Sequence, residues 1–193
     1  NFIMNVPLTI SEPKIKYVFQ LLDQIETGKL IVPKFQRGLV WNDDQRLDLL
    51  RSIQSGLPIG SLLLWETSQH TLAPVDKIGG IPISLPQPAK GVTRTYLLDG
   101  FQRLSTLFGA LKSPDNQSLL VDKKDWRIFY DLKAEDFKFQ GRRKQSESTW
   151  MPVNVLLDSL ALVRFWRTLK EEELIKRSDQ LQKIFLSLGR NII

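Results

Sequence analysis

Apolar residues at Ile15, Val18, Phe19, Leu22 and Ile25 recur at three- and four-residue spacing, and Gly28 follows them as a stop signal. The pattern predicts an amphipathic helix over residues 14–27. From Ile31 to Arg37 that period is lost, and the stretch is short, extended in character and punctuated by Pro33. A helical stripe returns at Leu47, Leu50 and Ile53, with Asn42 and Gln45 just before it at the spacing of a capping box. A second helix is therefore expected from about 43 to 55, ended by Gly56 and Pro58. The apolar run Ile59 to Trp65 is short enough for a buried strand.

Between Thr67 and Thr93 periodicity gives way to clustered glycine and proline, including Gly79, Gly80, Pro82, Pro86, Pro88 and Gly91. This reads as a long loop or insertion, expected to be a mobile flap beside a pocket. Tyr96, Leu97 and Leu98 then read as a strand ending at Asp99-Gly100, and Phe101, Leu104, Phe108 and Leu111 supply the buried stripe of the next helix. A further strand fits Arg127 to Leu132. Gln140 to Thr149 is polar and basic at Arg142, Arg143 and Lys144, a run expected to be a solvated loop, and the last forty residues read as mostly helical. The expected class is α+β, a small mixed sheet with surrounding helices. Residues 1–140 form its main domain, and 141–193 form a polar loop leading into a helical region that we expect to be truncated.

Composition changes this picture mainly by what it removes. The 193 residues include no cysteine and one histidine, His70. Disulfides, thiol nucleophiles, iron-sulfur clusters, Cys-type zinc sites and His-pair metal motifs are excluded together. So is a self-contained HNH-type nuclease, which needs a base histidine with further ligands nearby. Lys plus Arg number 27 against 21 Asp plus Glu, and the net charge of +6 permits a polyanionic partner without demanding one. With 42% apolar and 25% charged residues the composition is that of a folded chain. No apolar run approaches the length that spans a bilayer and the N-terminus lacks a signal-peptide pattern, so a cytoplasmic protein with no membrane partner is expected.

Two strings carry candidate chemistry. Val32-Pro33-Lys34-Phe35-Gln36-Arg37-Gly38-Leu39-Val40-Trp41 sets an amide beside a guanidinium between bulky apolar residues. Arginine offers a fork of donors suited to phosphate oxygens, and glutamine can position a water or read a base edge. Composition alone favours a surface turn with Arg37 solvated. In the second string, Leu98-Asp99-Gly100-Phe101-Gln102-Arg103-Leu104-Ser105-Thr106-Leu107, Asp99 falls where the strand ends and the helix begins. First-turn N–H groups there face whatever lies above them, Gly100 allows close backbone approach, and Arg103 adds positive charge. Asp99 and Gln102 also stand at capping-box spacing, so a phosphate site and a structural cap both remain open. No G-x-x-x-x-G-K-S/T or G-x-G-x-x-G string occurs, which excludes Walker and Rossmann modes of nucleotide binding. The tryptophans form no row, and only Trp41 is a candidate for stacking on a base.

Taken in order, Val32 to Arg37, Trp41, Leu50-Arg51-Ser52-Ile53, Gly56-Leu57-Pro58-Ile59-Gly60-Ser61 and Leu98 to Leu107 resemble the N-terminal domain of GmrSD-type modification-dependent restriction proteins. That domain belongs to the ParB and sulfiredoxin superfamily, and the resemblance spans about residues 15–135. It implies a ParB/sulfiredoxin-like fold and an NTP-binding and hydrolysing module of a restriction or phage-defence system. Such a module couples nucleotide turnover to DNA cleavage by an HNH-like nuclease domain or subunit outside this chain. The family's last block usually reads D-G-Q-Q-R. Carried over, it makes Asp99, Gln102 and Arg103 the catalytic candidates, with Asp99 also the candidate Mg²⁺ ligand. Gln36, Arg37, Gly60, Ser61, Gly100 and Thr106 become the nucleotide-binding candidates. Phe101 replaces the family's first glutamine, which is harmless if its side chain faces the core and alters affinity or base preference if that position touches the nucleotide. The implied partners are an NTP with Mg²⁺, and DNA through the full-length protein. A non-catalytic nucleotide-sensing or DNA-binding module on the same fold is the alternative.

Overall fold

The computed structural model describes residues 14, 16–83, 91–113, 120–121, 124–141, 148–172, 177, 179–180 and 182–183. The expectations for Ile15, for the basic run at 142–144 and for the last ten residues lie outside them. In chain order the elements are α1 (Val18–Glu26), β1 (Leu30–Ile31), α2 (Asp43–Gln54), β2 (Leu63–Thr67), β3 (Lys77–Ile78), β4 (Ile81–Pro82), β5 (Arg94–Asp99) and α3 (Phe101–Lys112). They continue with β6 (Leu120–Val121), β7 (Lys124–Asp125), β8 (Ile128–Asp131), β9 (Asp136–Phe139), β10 (Trp150–Pro152), a 3-10 helix (Val153–Leu157) and α4 (Ser159–Thr168).

Local chemistry sets the helix boundaries. At the start of α2 the Asn42 side chain accepts from the Gln45 amide at 2.9 Å, and the Gln45 side chain accepts from the Asn42 amide at 3.0 Å, which is the capping box read from the sequence. The buried face of α1 is Val18, Leu21, Leu22 and Ile25. Phe19 is not on it, because it lies about 100° around the helix from Val18. It is partly exposed and stacks on Tyr17 at 5.8 Å instead.

The class is α+β, with a small mixed sheet among helices. β5 is the central strand of a three-stranded sheet, with β1 parallel on one side and β2 antiparallel on the other. Leu97 of β5 is fully buried in one core with Leu22 and Ile25 of α1, Leu50 and Ile53 of α2 and Leu104 and Leu107 of α3, while Tyr96 is buried on the other face beside Trp65. A second, antiparallel sheet has the order β10-β8-β9, so residues on both sides of position 140 build one sheet. α2 sends two arginines toward this sheet. Arg51 binds Asp136 through Nε and Nη2 at 2.7 and 2.8 Å. Arg46, with no exposed surface, lies over the rings of Trp126 and Phe139 and donates to the Asp125 carbonyl and the Asp43 carboxylate. A buried cation is tolerated on those terms, its charge paired, both terminal nitrogens hydrogen-bonded and its plane against two rings, although its Nε has no hydrogen-bond partner.

Two stretches differ from expectation. The strand expected over Ile59 to Trp65 begins only at Leu63. The carbonyls of Ile59 and Ser61 accept hydrogen bonds from the Arg103 side chain, so they are not available to a ladder. The stretch expected to be a mobile flap is, through Ile83, packed on the core. Lys34 and Ala73, and Val75 and Val32, join it to the β1 side by main-chain hydrogen bonds of 2.8 Å. The β3-β4 hairpin docks on α3, where the Gly79 amide donates to the Ser105 hydroxyl at 3.0 Å. Residues 84–90 of that stretch lie outside the described residues. Among the described residues no helix is long and apolar enough to cross a membrane.

Candidate functional site

β5 ends at Asp99, and the chain enters α3 through Gly100, whose φ of +100° is left-handed backbone that favours glycine. A Cβ there would stand 2.2 Å from Cδ2 of Leu62, a side-chain end that could swing aside, so it is the conformation that favours glycine. No side chain caps the helix, and the capping box that the Asp99 and Gln102 spacing allowed is not formed. The first intrahelical bond runs from the Leu104 amide to the Gly100 carbonyl at 3.0 Å. The amides of Phe101, Gln102 and Arg103 precede it and have no intrahelical acceptor. The Asp99 carboxylate beside them is 75% exposed and 3.6 Å from Nη2 of Arg103.

The two motif strings meet at this junction. The Gln36 carboxamide donates to the carbonyls of Leu97 at 2.9 Å and Leu98 at 3.1 Å. In return, Gln102 Oε1 accepts from the amides of Val40 at 2.8 Å and Trp41 at 3.3 Å, and its Nε2 donates to the Gly38 carbonyl at 3.1 Å. Arg103 turns the other way. Its Nη1 and Nη2 donate to the carbonyls of Ile59 and Ser61, each at 2.8 Å, and its guanidinium lies against Gly60, where a Cβ would meet Nη1 at 2.0 Å. Gly60 thus accommodates Arg103, and Ser61 is exposed with its carbonyl engaged.

Arg37 is exposed, and its guanidinium makes no hydrogen bond or ion pair with any described residue. Phe35, 61% exposed, tops the preceding turn, which the Gln36 amide closes onto the Pro33 carbonyl. Phe101 is buried in the core, the harmless one of its two expected placements. Thr106 is not brought to this surface: it is fully buried, and its hydroxyl has no hydrogen-bond partner. Trp41 is partly buried against the core, and Trp126 and Trp150 are buried.

Asp99, Gly100, Gln102, Arg103, Gln36, Arg37, Gly60 and Ser61 therefore assemble around one strand-to-helix junction. The junction carries three first-turn amides without an intrahelical acceptor, a carboxylate suited to a hard cation, and, on the adjoining turn, an exposed guanidinium. Among the described residues no three or more of His, Asp and Glu cluster to hold a metal ion, so a cation here would need oxygen ligands from a bound molecule. Sequence reasoning missed the hydrogen-bond partners of Gln36, Gln102 and Arg103, which are main-chain atoms and carry no residue signature. It also missed the Arg51 pair with Asp136, for which the sequence held no local signal because 85 positions separate the two.

A family model described as GmrSD restriction endonuclease, N-terminal domain, matches residues 18–188. An uncharacterized protein of Methanocaldococcus jannaschii is 30% identical over 118 residues, which cover 61% of this chain and 20% of that protein. The chain thus corresponds to about a fifth of the length of that relative.

Proposed function

The chain belongs to the family of GmrSD restriction endonuclease N-terminal domains, and from that premise we propose that it is the NTP-binding and hydrolysing module of a restriction system. The observation that supports this reading best is the convergence of both motif strings on the uncapped N-terminus of α3. Anions bind at such a terminus because its amides and the helix dipole favour negative charge. In this reading the phosphates sit over Gly100, held by the amides of Phe101 to Arg103 and by Arg37. Asp99 would hold Mg²⁺ jointly with phosphate oxygens, the usual way that ion is bound beside nucleotides. When bound, the ion would neutralise charge developing on the transferred phosphoryl group.

The arginines stay protonated at neutral pH, so their part is electrostatic, and Asp99 is the carboxylate of the set, able to take up a cation or to orient a water. DNA cleavage falls to a nuclease domain or subunit elsewhere in the full protein, since this chain carries a single, exposed histidine. Titration of the chain and of the longer protein with Mg²⁺-ATP, -GTP, -CTP and -UTP, followed for binding and phosphate release, tests the proposal. Asp99→Asn should leave the melting temperature unchanged, because Asp99 does not cap α3, and should slow phosphate release by at least about tenfold, or ~1.4 kcal/mol. Binding without release would make the module a nucleotide sensor. No binding in either protein would end the nucleotide reading.

A further inference from the structure

Arg37 stands between two anchors. On its N-terminal side the Gln36 carboxamide is fixed on the carbonyls of Leu97 and Leu98. On its C-terminal side Gln102 engages the Gly38 carbonyl and the amides of Val40 and Trp41. Both anchors end on the last residues of β5 or the first turn of α3. Residues 38–41 belong to no helix or strand, so side-chain hydrogen bonds take the place of a ladder there. A carboxamide suits the task because it presents an acceptor and donors together, as a strand's main chain does. Its acceptor oxygen and one of its donors are spent on residues 38–41, which leaves little of the side chain for a ligand.

We propose that Gln102 is a positioning residue. Its carboxamide holds the Gly38–Trp41 main chain against α3, and so keeps the turn that carries Arg37 beside the helix N-terminus, without itself touching the nucleotide. The role rests on the nucleotide reading above. It replaces the direct catalytic role that the family motif would assign to Gln102, and the two differ in how losses combine. A residue acting through Arg37 has nothing left to lose once Arg37 is gone, whereas a residue that contacts the nucleotide contributes independently.

The test uses the full chain as wild type, Gln102→Ala, Arg37→Ala and the double variant, each checked for melting temperature. Without nucleotide, hydrogen exchange at the Val40 and Trp41 amides should quicken about tenfold or more in Gln102→Ala, while Leu104 and Leu107 within α3 keep their protection. Gln102→Glu, which retains an acceptor, should preserve more of the Val40 protection and serves as the milder substitution. With Mg²⁺-ATP and Mg²⁺-GTP as probes, Gln102→Ala should weaken binding about tenfold, and the double variant should bind no more weakly than Arg37→Ala alone. Additive losses, or unchanged exchange at Val40, would overturn the positioning role while leaving nucleotide binding in place. A wild type that binds neither probe is the failure of the nucleotide reading itself, and removes the role with it.

Discussion

The Arg103 guanidinium lies against Gly60 and donates to two carbonyls on either side of it, those of Ile59 and Ser61. At the scale of single residues, Gln36, Gln102 and Arg103 of the motif strings thus serve the main chain. Arg103→Ala leaves both carbonyls without their charged donor and should cost about 1.5–3 kcal/mol, read as a lower melting temperature and denaturant midpoint. Arg103→Lys should recover little of it, because one ammonium on a flexible stem cannot reproduce two parallel N–H donors in a fixed fork. An unchanged melting temperature in Arg103→Ala would show that the tie contributes nothing. Any loss of phosphate release in such a variant has to be judged beside its stability, since the residue supports the frame on which the site is built.

At the scale of elements, the β8-β9 hairpin concentrates the titrating groups. Asp136 is held below the usual carboxylate range chiefly by the Arg51 guanidinium, against some burial, and the same pair pushes Arg51 upward. For Asp131 burial works upward but is outweighed by Lys138 and by the amides of Lys133 and Ala134, so its carboxyl is also lowered. A carboxylate with a lower pKa in the folded chain binds fewer protons there than in the unfolded chain. Its stabilisation is complete above the ordinary value of about 4 and is lost as pH falls through the depressed value. Both groups of the Arg51–Asp136 pair are more than a third exposed, and solvent screens their attraction. Asp136→Asn should lower the urea midpoint modestly at neutral pH and flatten its decline below about pH 4. An acid limb identical to wild type would mean that the pair carries no proton-linked stability.

At the scale of the whole molecule, the β3-β4 hairpin and the Trp126 ring are both seated on α3 through close approaches. A Cβ on Gly109 would meet the Trp126 ring at 2.1 Å and the Gly79 carbonyl at 2.6 Å, and a Cβ on Gly79 would meet the Gly109 amide at 2.2 Å. Alanine is the better helix former by about 1 kcal/mol, so propensity alone favours Gly109→Ala. We expect the opposite sign, a loss of about 1–3 kcal/mol by thermal melting, because the added methyl must displace both a buried ring and the hairpin backbone. A stabilised variant would show that the hairpin is not docked as described. The net charge of +6 belongs to this scale too, as a bias toward anionic partners rather than a site.

What the sequence determined by itself was whatever depends on neighbours within a few positions. The capping box of Asn42 and Gln45, the end of α2 at Gly56, the stripe of Phe101, Leu104, Phe108 and Leu111, and the strand-to-helix turn at Asp99-Gly100 are all legible in order and spacing. So was the family, whose blocks are contiguous strings. Tertiary structure alone decided which surface those strings share and what their side chains touch. Gln36 reaches a carbonyl 61 positions away, Gln102 an amide 62 away and Arg103 a carbonyl 44 away. The reason is physical: every residue but proline presents the same main-chain N–H and C=O, so a side chain that binds main chain leaves no pattern in its partner's identity.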